Sequence, residues 1–165
     1  VSTFVPKPFT PFQFEPQITV DEIRRRHDLL RNSITTKKVS LSYHDSSTSF
    51  LEGVIARGDR RLCDVIETAY KKGCVFDGWN ECFDLDKWLE AFRECGIETA
   101  FYANRKREFS EINPWDHFNY GVTKSFLIKE NERAYNAATT PNCRIKCAGC
   151  GANKLLCGGK CFEKC

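Results

Sequence analysis

The sequence contains no methionine, only 3 histidines and 6 prolines in 165 residues, and no apolar run longer than a few residues. Runs that short fall far below the roughly 20 residues a membrane-spanning helix requires. The first residues also lack the basic-then-apolar pattern of a secretory signal. Charge of one sign is scarce as well, because 25 Lys and Arg face 22 Asp and Glu for a net +3. Opening on Val1 with no Met anywhere, the sequence reads as a processed product or as a piece of a longer chain.

What is abundant is aromatic bulk. Thirteen Phe, 5 Tyr and 3 Trp are enough to fill the core of one compact domain, which excludes a disordered linker. Ten cysteines are about 6% of the chain, below the roughly 8–10% of a disulfide-stapled secreted scaffold, and their placement is uneven. Cys63, Cys74, Cys82 and Cys95 are scattered, whereas Cys143, Cys147, Cys150, Cys157, Cys161 and Cys165 crowd the end. Such crowding points to a metal site in a reducing compartment, hence a cytoplasmic protein. From Cys143 onward, Arg144, Lys146, Lys154, Lys160 and Lys164 against Glu163 make the tail +4 and leave the body at −1. A near-neutral body makes no case for a nucleic-acid surface.

Local pattern predicts an α/β opening followed by a mostly α middle. Val1 to Val5 reads as a short strand that runs into Pro6, Pro8, Pro11 and Pro16, an extended loop by necessity. Thr19 with Glu22 forms a capping box, and Ile23, His27, Leu30 and Ile34 recur at helical spacing behind the solvated Arg24, Arg25 and Arg26. Val39, Leu41 and Tyr43 alternate with Ser40 and Ser42, the period of a half-buried strand ending at His44-Asp45. Further on, Phe50, Leu51, Val54 and Ile55 form one helical face. Leu62, Val65, Ile66, Ala69 and Tyr70 form another behind Asp59 as N-cap, with Gly73 as the stop. Asp84 heads a third helix with Leu85, Trp88, Leu89 and Phe92 inward and Gly96 beyond its end. Thr123 to Ala137 forms a fourth, with Phe126, Leu127 and Ala134 inward. This divides the chain into residues 1–45, an α-helical subdomain over 46–138, and a Cys-rich, loop-like tail over 139–165.

The sharpest chemical pattern is Cys143-x3-Cys147-x2-Cys150 followed by Cys157-x3-Cys161-x3-Cys165. Thiolates are soft ligands that favour iron–sulfur clusters or zinc over hard cations. With only one Cys-x2-Cys pair, an iron–sulfur cluster, zinc and disulfides all remain open. His44-Asp45, Asp77 and Asp116-His117 place carboxylates in reach of proton-transfer roles, but residues of this kind at turns more often cap helices and satisfy backbone groups. Gly58-Asp59-Arg60-Arg61 reads either as an anion clamp or as a helix start with solvated arginines. Trp79, Trp88 and Trp115 read as packing, and the four scattered cysteines as buried or incidental thiols.

Five phrases taken together resemble one family. They are Phe4-Val5-Pro6-Lys7-Pro8-Phe9-Thr10-Pro11-Phe12-Gln13, Ala56-Arg57-Gly58-Asp59-Arg60-Arg61, Phe76-Asp77-Gly78-Trp79, Pro114-Trp115-Asp116-His117 and the Cys-rich end. In that order, over nearly the whole chain, they are similar to the C-terminal end of radical S-adenosylmethionine proteins that carry a cobalamin-binding-like domain before a partial (β/α)6 barrel. The resemblance implies that Val1 to Val5 is the last barrel strand and the helix after Thr19 its closing helix. It implies that the backbone near Phe4 and Val5 touches the adenine of S-adenosylmethionine. Cys143, Cys147 and Cys150 would then hold an auxiliary iron–sulfur cluster. The family's end typically reads Cys-Gly-x-Cys, whereas here Cys150-Gly151 is followed by Ala152 and Asn153, so Cys157 or Cys161 stands in as fourth ligand. The remainder of the same polypeptide would be the main partner, with cobalamin as a further cofactor, an unknown substrate, and no activity in this segment by itself. A stand-alone zinc-binding module that contacts RNA or a partner protein is the alternative.

Overall fold

The computed structural model describes residues 1–156, and those residues fold into two compact units. The first comprises Val1–Pro6 and Glu15–Lys106, and the second begins with Lys7–Phe14 and resumes at Arg107. Neither unit is continuous in sequence, so compactness divides the chain along different lines from composition.

The first unit is built from five helices: α1 (Val20–Ser33), α2 (Ser46–Ala56), α3 (Leu62–Lys71), α4 (Leu85–Glu94) and the short α5 (Thr99–Ala103). The starts of α1, α2 and α4 are set by capping side chains. Thr19 Oγ1 accepts from the Glu22 N–H at 3.3 Å. Asp45 Oδ1 accepts from Ser47 and Thr48 N–H, both at 2.9 Å, and Asp84 Oδ1 from Asp86 and Lys87. Each cap satisfies amides that have no partner inside the helix. Helices α3 and α4 stop at Gly73 and Gly96, both in the left-handed region that a Cβ disfavours. One apolar core joins Phe50, Leu51 and Val54 of α2 to Val65 and Ala69 of α3, Trp88 and Phe92 of α4, and Tyr102 of α5. Each large side chain buried there contributes about 1.5–3 kcal/mol.

The α/β expectation is overturned, because no strand, and so no last strand of a barrel, forms among the described residues. Residues 1–5 and 39–44 have no regular structure, and two backbone bonds join Val1 to residues 42–44. Val1 N donates to Ser42 O at 2.6 Å, and His44 N donates to Val1 O at 3.3 Å. Pro6 and Pro8 have no N–H to continue a ladder, and two strands alone are marginal in water. Of the alternating apolar residues, Leu41 and Tyr43 are half-buried, whereas Val39 stays 55% exposed. Other expectations shift more modestly. Asp59 does not cap α3, whose N-cap position is Arg61 with no side-chain bond. Ile66 and Tyr70 are exposed rather than inward, because α3 packs on α4 through the narrower stripe Leu62, Val65 and Ala69, and Trp79, in the turn region after α3, is exposed as well.

The second unit contains a 3₁₀ turn (Pro11–Phe14), α6 (Lys124–Tyr135) and α7 (Ala152–Leu156). Thr123 Oγ1 caps α6 by accepting from Phe126 N–H at 3.3 Å, and Asn131 on that helix donates to Pro11 O at 3.0 Å. Much of the unit is organised by buried polar side chains. Gln13 Oε1 accepts from Phe9 N–H at 2.9 Å and from Trp115 Nε1–H at 2.7 Å. Arg107, only 2% exposed, donates to Asn113 Oδ1 at 3.2 Å and lies over the Trp115 ring.

Candidate metal-binding loop and its surroundings

Cys143, Cys147 and Cys150 lie on the loop between α6 and α7, Cys143 exposed and the other two half-buried. Two contacts give the loop a defined course. Gly149 N–H donates to Cys147 Sγ at 3.4 Å, and Thr123 N–H, at the start of α6, donates to Cys150 O at 2.9 Å. Gly151 follows with φ +98°, and a Cβ there would stand 2.9 Å from Gly121 O. Only glycine passes that point without strain. No two of the seven described cysteines are joined by a disulfide. Their sulfurs do not converge, either, for no group of three Cys, His, Asp or Glu able to hold a metal occurs among the described residues. The expected ligands Cys157 and Cys161 lie outside the described residues.

The donor set suits a soft metal, since three thiols fall within eight residues of chain. An N–H···S bond of the kind Gly149 makes is also a recognised means of tuning a metal thiolate. Closing the site would require the loop to gather its sulfurs around the ion, so binding and local folding would be one event.

Phe4 is 48% exposed and helps line a cavity of about 350 Å³ in the first unit, with Ile23, Arg26, His27 and Leu30 opposite. Val5 is half-buried and does not line it. His27 is buried and stacked on Tyr43, ring centroids 4.1 Å apart.

The carboxylates flagged by sequence have structural partners. Asp45 caps α2, while His44 is exposed. Asp77 Oδ2 accepts from Trp88 Nε1–H at 3.1 Å. Asp59 accepts from Arg61 at 2.6 Å and from the Tyr102 hydroxyl at 3.0 Å, and the Arg61 bond above all holds its pKa down to about 2. Asp59 therefore serves Arg61 and Tyr102 rather than an external anion. Burial pushes the Asp116 carboxyl upward, but Lys124 at 2.6 Å and the Asn113 N–H outweigh it, so its pKa is lowered. His117 is exposed beside Phe118.

Sequence reasoning missed the most enclosed cation. Arg57 is completely buried, and its guanidinium donates to the carbonyls of Glu15, Ala103 and Arg105 at 3.0–3.3 Å. It ties two separate backbone segments, at Glu15 and at 103–105, to the end of α2. A lone arginine after a helix carries no sequence signal for this, because the same residue type is usually solvated.

No family model matches the chain, and neither a curated protein nor a solved structure shows significant similarity to it.

Proposed function

We propose that this chain is the C-terminal part of a radical S-adenosylmethionine iron–sulfur protein, working with the remainder of the same polypeptide in the cytoplasm. In this reading Cys143, Cys147 and Cys150, with Cys157 or Cys161, hold an auxiliary iron–sulfur cluster. The observation that carries it is the loop itself: three thiols within eight residues, tethered at Cys150 to the first turn of α6. The order of the five sequence phrases supports the family assignment. A cluster there would supply electron transfer or a docking point for substrate. Cleavage of S-adenosylmethionine would belong to the rest of the polypeptide, as would any use of cobalamin. The chain's own part is to fix Cys147 through the Gly149 N–H and Cys150 through Thr123. Among the described residues no helix is long and apolar enough to cross a membrane, and thiolate ligands persist in a reducing compartment.

Zinc is the second reading, favoured by the Cys147-x2-Cys150 pair with its internal N–H···S bond. It would make the tail a closed structural site and the chain an interaction module. Metal and acid-labile sulfide analysis of the anaerobically purified chain separates the two. Iron and sulfide in equal amounts, lost at least about tenfold in Cys147→Ser and retained in Cys63→Ser, is the expected result. Zinc without sulfide would replace the enzyme reading with the module, and metal-free protein would remove both.

A further inference from the structure

In the second unit a cavity of about 130 Å³ is lined by Phe9, Gln13, Asp116, Phe118, Tyr120, Val122, Lys124 and Leu127, with no cysteine in its lining. Its volume is close to the roughly 150 Å³ of an engineered cavity that admits benzene, so it accommodates a ring of about five or six heavy atoms. Two features distinguish it from a packing void. The Tyr120 hydroxyl is buried and has no hydrogen-bond partner among the described residues, and orphaned buried hydroxyls are costly unless something else meets them. Phe9, whose ring lies 4.0 Å from that of Tyr120, is held at φ +62°. A bulky residue there is strained, and such strain gathers at ligand sites. The Phe9 N–H donates to Gln13 Oε1 at 2.9 Å.

Charge narrows what the cavity would take. Lys124 Nζ already donates to Asp116 Oδ2 at 2.6 Å and to Glu111 O at 2.5 Å. An anion would meet the Asp116 carboxylate and a cation would meet the Lys124 ammonium, each at short range. A hydrocarbon would leave the Tyr120 hydroxyl unmet. A neutral planar ring with one donor and one acceptor satisfies every wall. Its faces lie against the rings of Phe9 and Phe118, its acceptor takes the Tyr120 O–H, and its N–H turns to Asp116. We infer that this cavity is a binding site for a small uncharged azole or similar heteroaromatic ring. The inference is independent of the metal reading.

Pyrazole, which is neutral near pH 7, is the probe. Titrated into the isotope-labelled full chain, it is expected to shift the amide signals of residues 116–124 along one saturable curve with a Kd of about 1 mM, a realistic affinity for so few atoms. Tyr120→Phe removes only one oxygen and is expected to weaken binding about tenfold. Acetate and methylammonium, the charged probes, should bind at least about tenfold more weakly than pyrazole, as should benzene. Absence of saturation would overturn the site, leaving the cavity to ordered water. Pyrazole binding unchanged in Tyr120→Phe, or equalled by benzene, would overturn the assigned chemistry. Should that variant fail to fold, the order of the four probes on the unaltered chain decides alone.

Discussion

The two units solve the same problem with different materials. The first buries a continuous apolar cluster from four helices, with helix caps and a few buried polar side chains such as Arg57 and Gln17 around it. The second has, among its described residues, a single helix of more than five residues, and its loops are held by a set of bonded polar groups: Gln13 to Trp115, Arg107 to Asn113, Asp116 to Lys124. Apolar packing is non-directional and tolerates changes of shape at constant volume. A buried hydrogen bond is directional, and losing one partner leaves the other unsatisfied. The first unit should therefore forgive conservative substitutions that the second does not.

Arg57 is the most extensively bonded of the buried polar groups described above for the first unit, and it provides the largest expected effect. Arg57→Ala removes bonds to three carbonyls and leaves a cavity, a loss of about 5 kcal/mol in urea unfolding. A loss below about 1 kcal/mol would show that the arginine fills space without tying the segments. Gln13→Met comes next, because it preserves shape while removing the acceptor of two buried donors. About 3 kcal/mol is expected. A third test uses acid. Asp59 titrates near 2 rather than at its ordinary 3.8, so its contribution is present above about pH 4 and is lost as pH falls toward 2. The side chain is only 23% exposed, and the shift corresponds to about 2 kcal/mol. Unfolding curves between pH 4 and 2 should be flatter for Asp59→Asn than for the unaltered chain. The smallest effect belongs to Leu51→Met, a swap of similar volume in the apolar core that should cost under about 1.5 kcal/mol. Were Leu51→Met to cost as much as Gln13→Met, the contrast between the units would fail.

The same contrast explains what the sequence disclosed. Helices were legible where an oxygen-bearing cap and a glycine stop bracket an apolar stripe, as at Asp84 and Gly96 around α4, because those signals act within a few residues. The strand at Val39, Leu41 and Tyr43 was misread because alternation describes a face without saying whether anything lies against it. Tyr43 instead stacks on His27. Arg57 and Gln13 were illegible as organisers, since their partners lie up to 102 residues away and are mostly backbone groups. The cysteine spacing singled out a loop with three thiols, yet spacing does not report convergence, and no group of three metal-ligating side chains gathers among the described residues.

The bond from Thr123 N–H to Cys150 O makes the start of α6 a gauge of the loop. The backbone amide of Thr123 precedes the first turn of α6, and the cysteine loop supplies its acceptor. Whatever orders that loop should slow the exchange of this one amide with solvent, and whatever loosens it should speed the exchange, while amides in the middle of α6 keep their own pace. A single resonance thus carries a continuous readout of the thiol loop, without a chromophore, a label or knowledge of the metal.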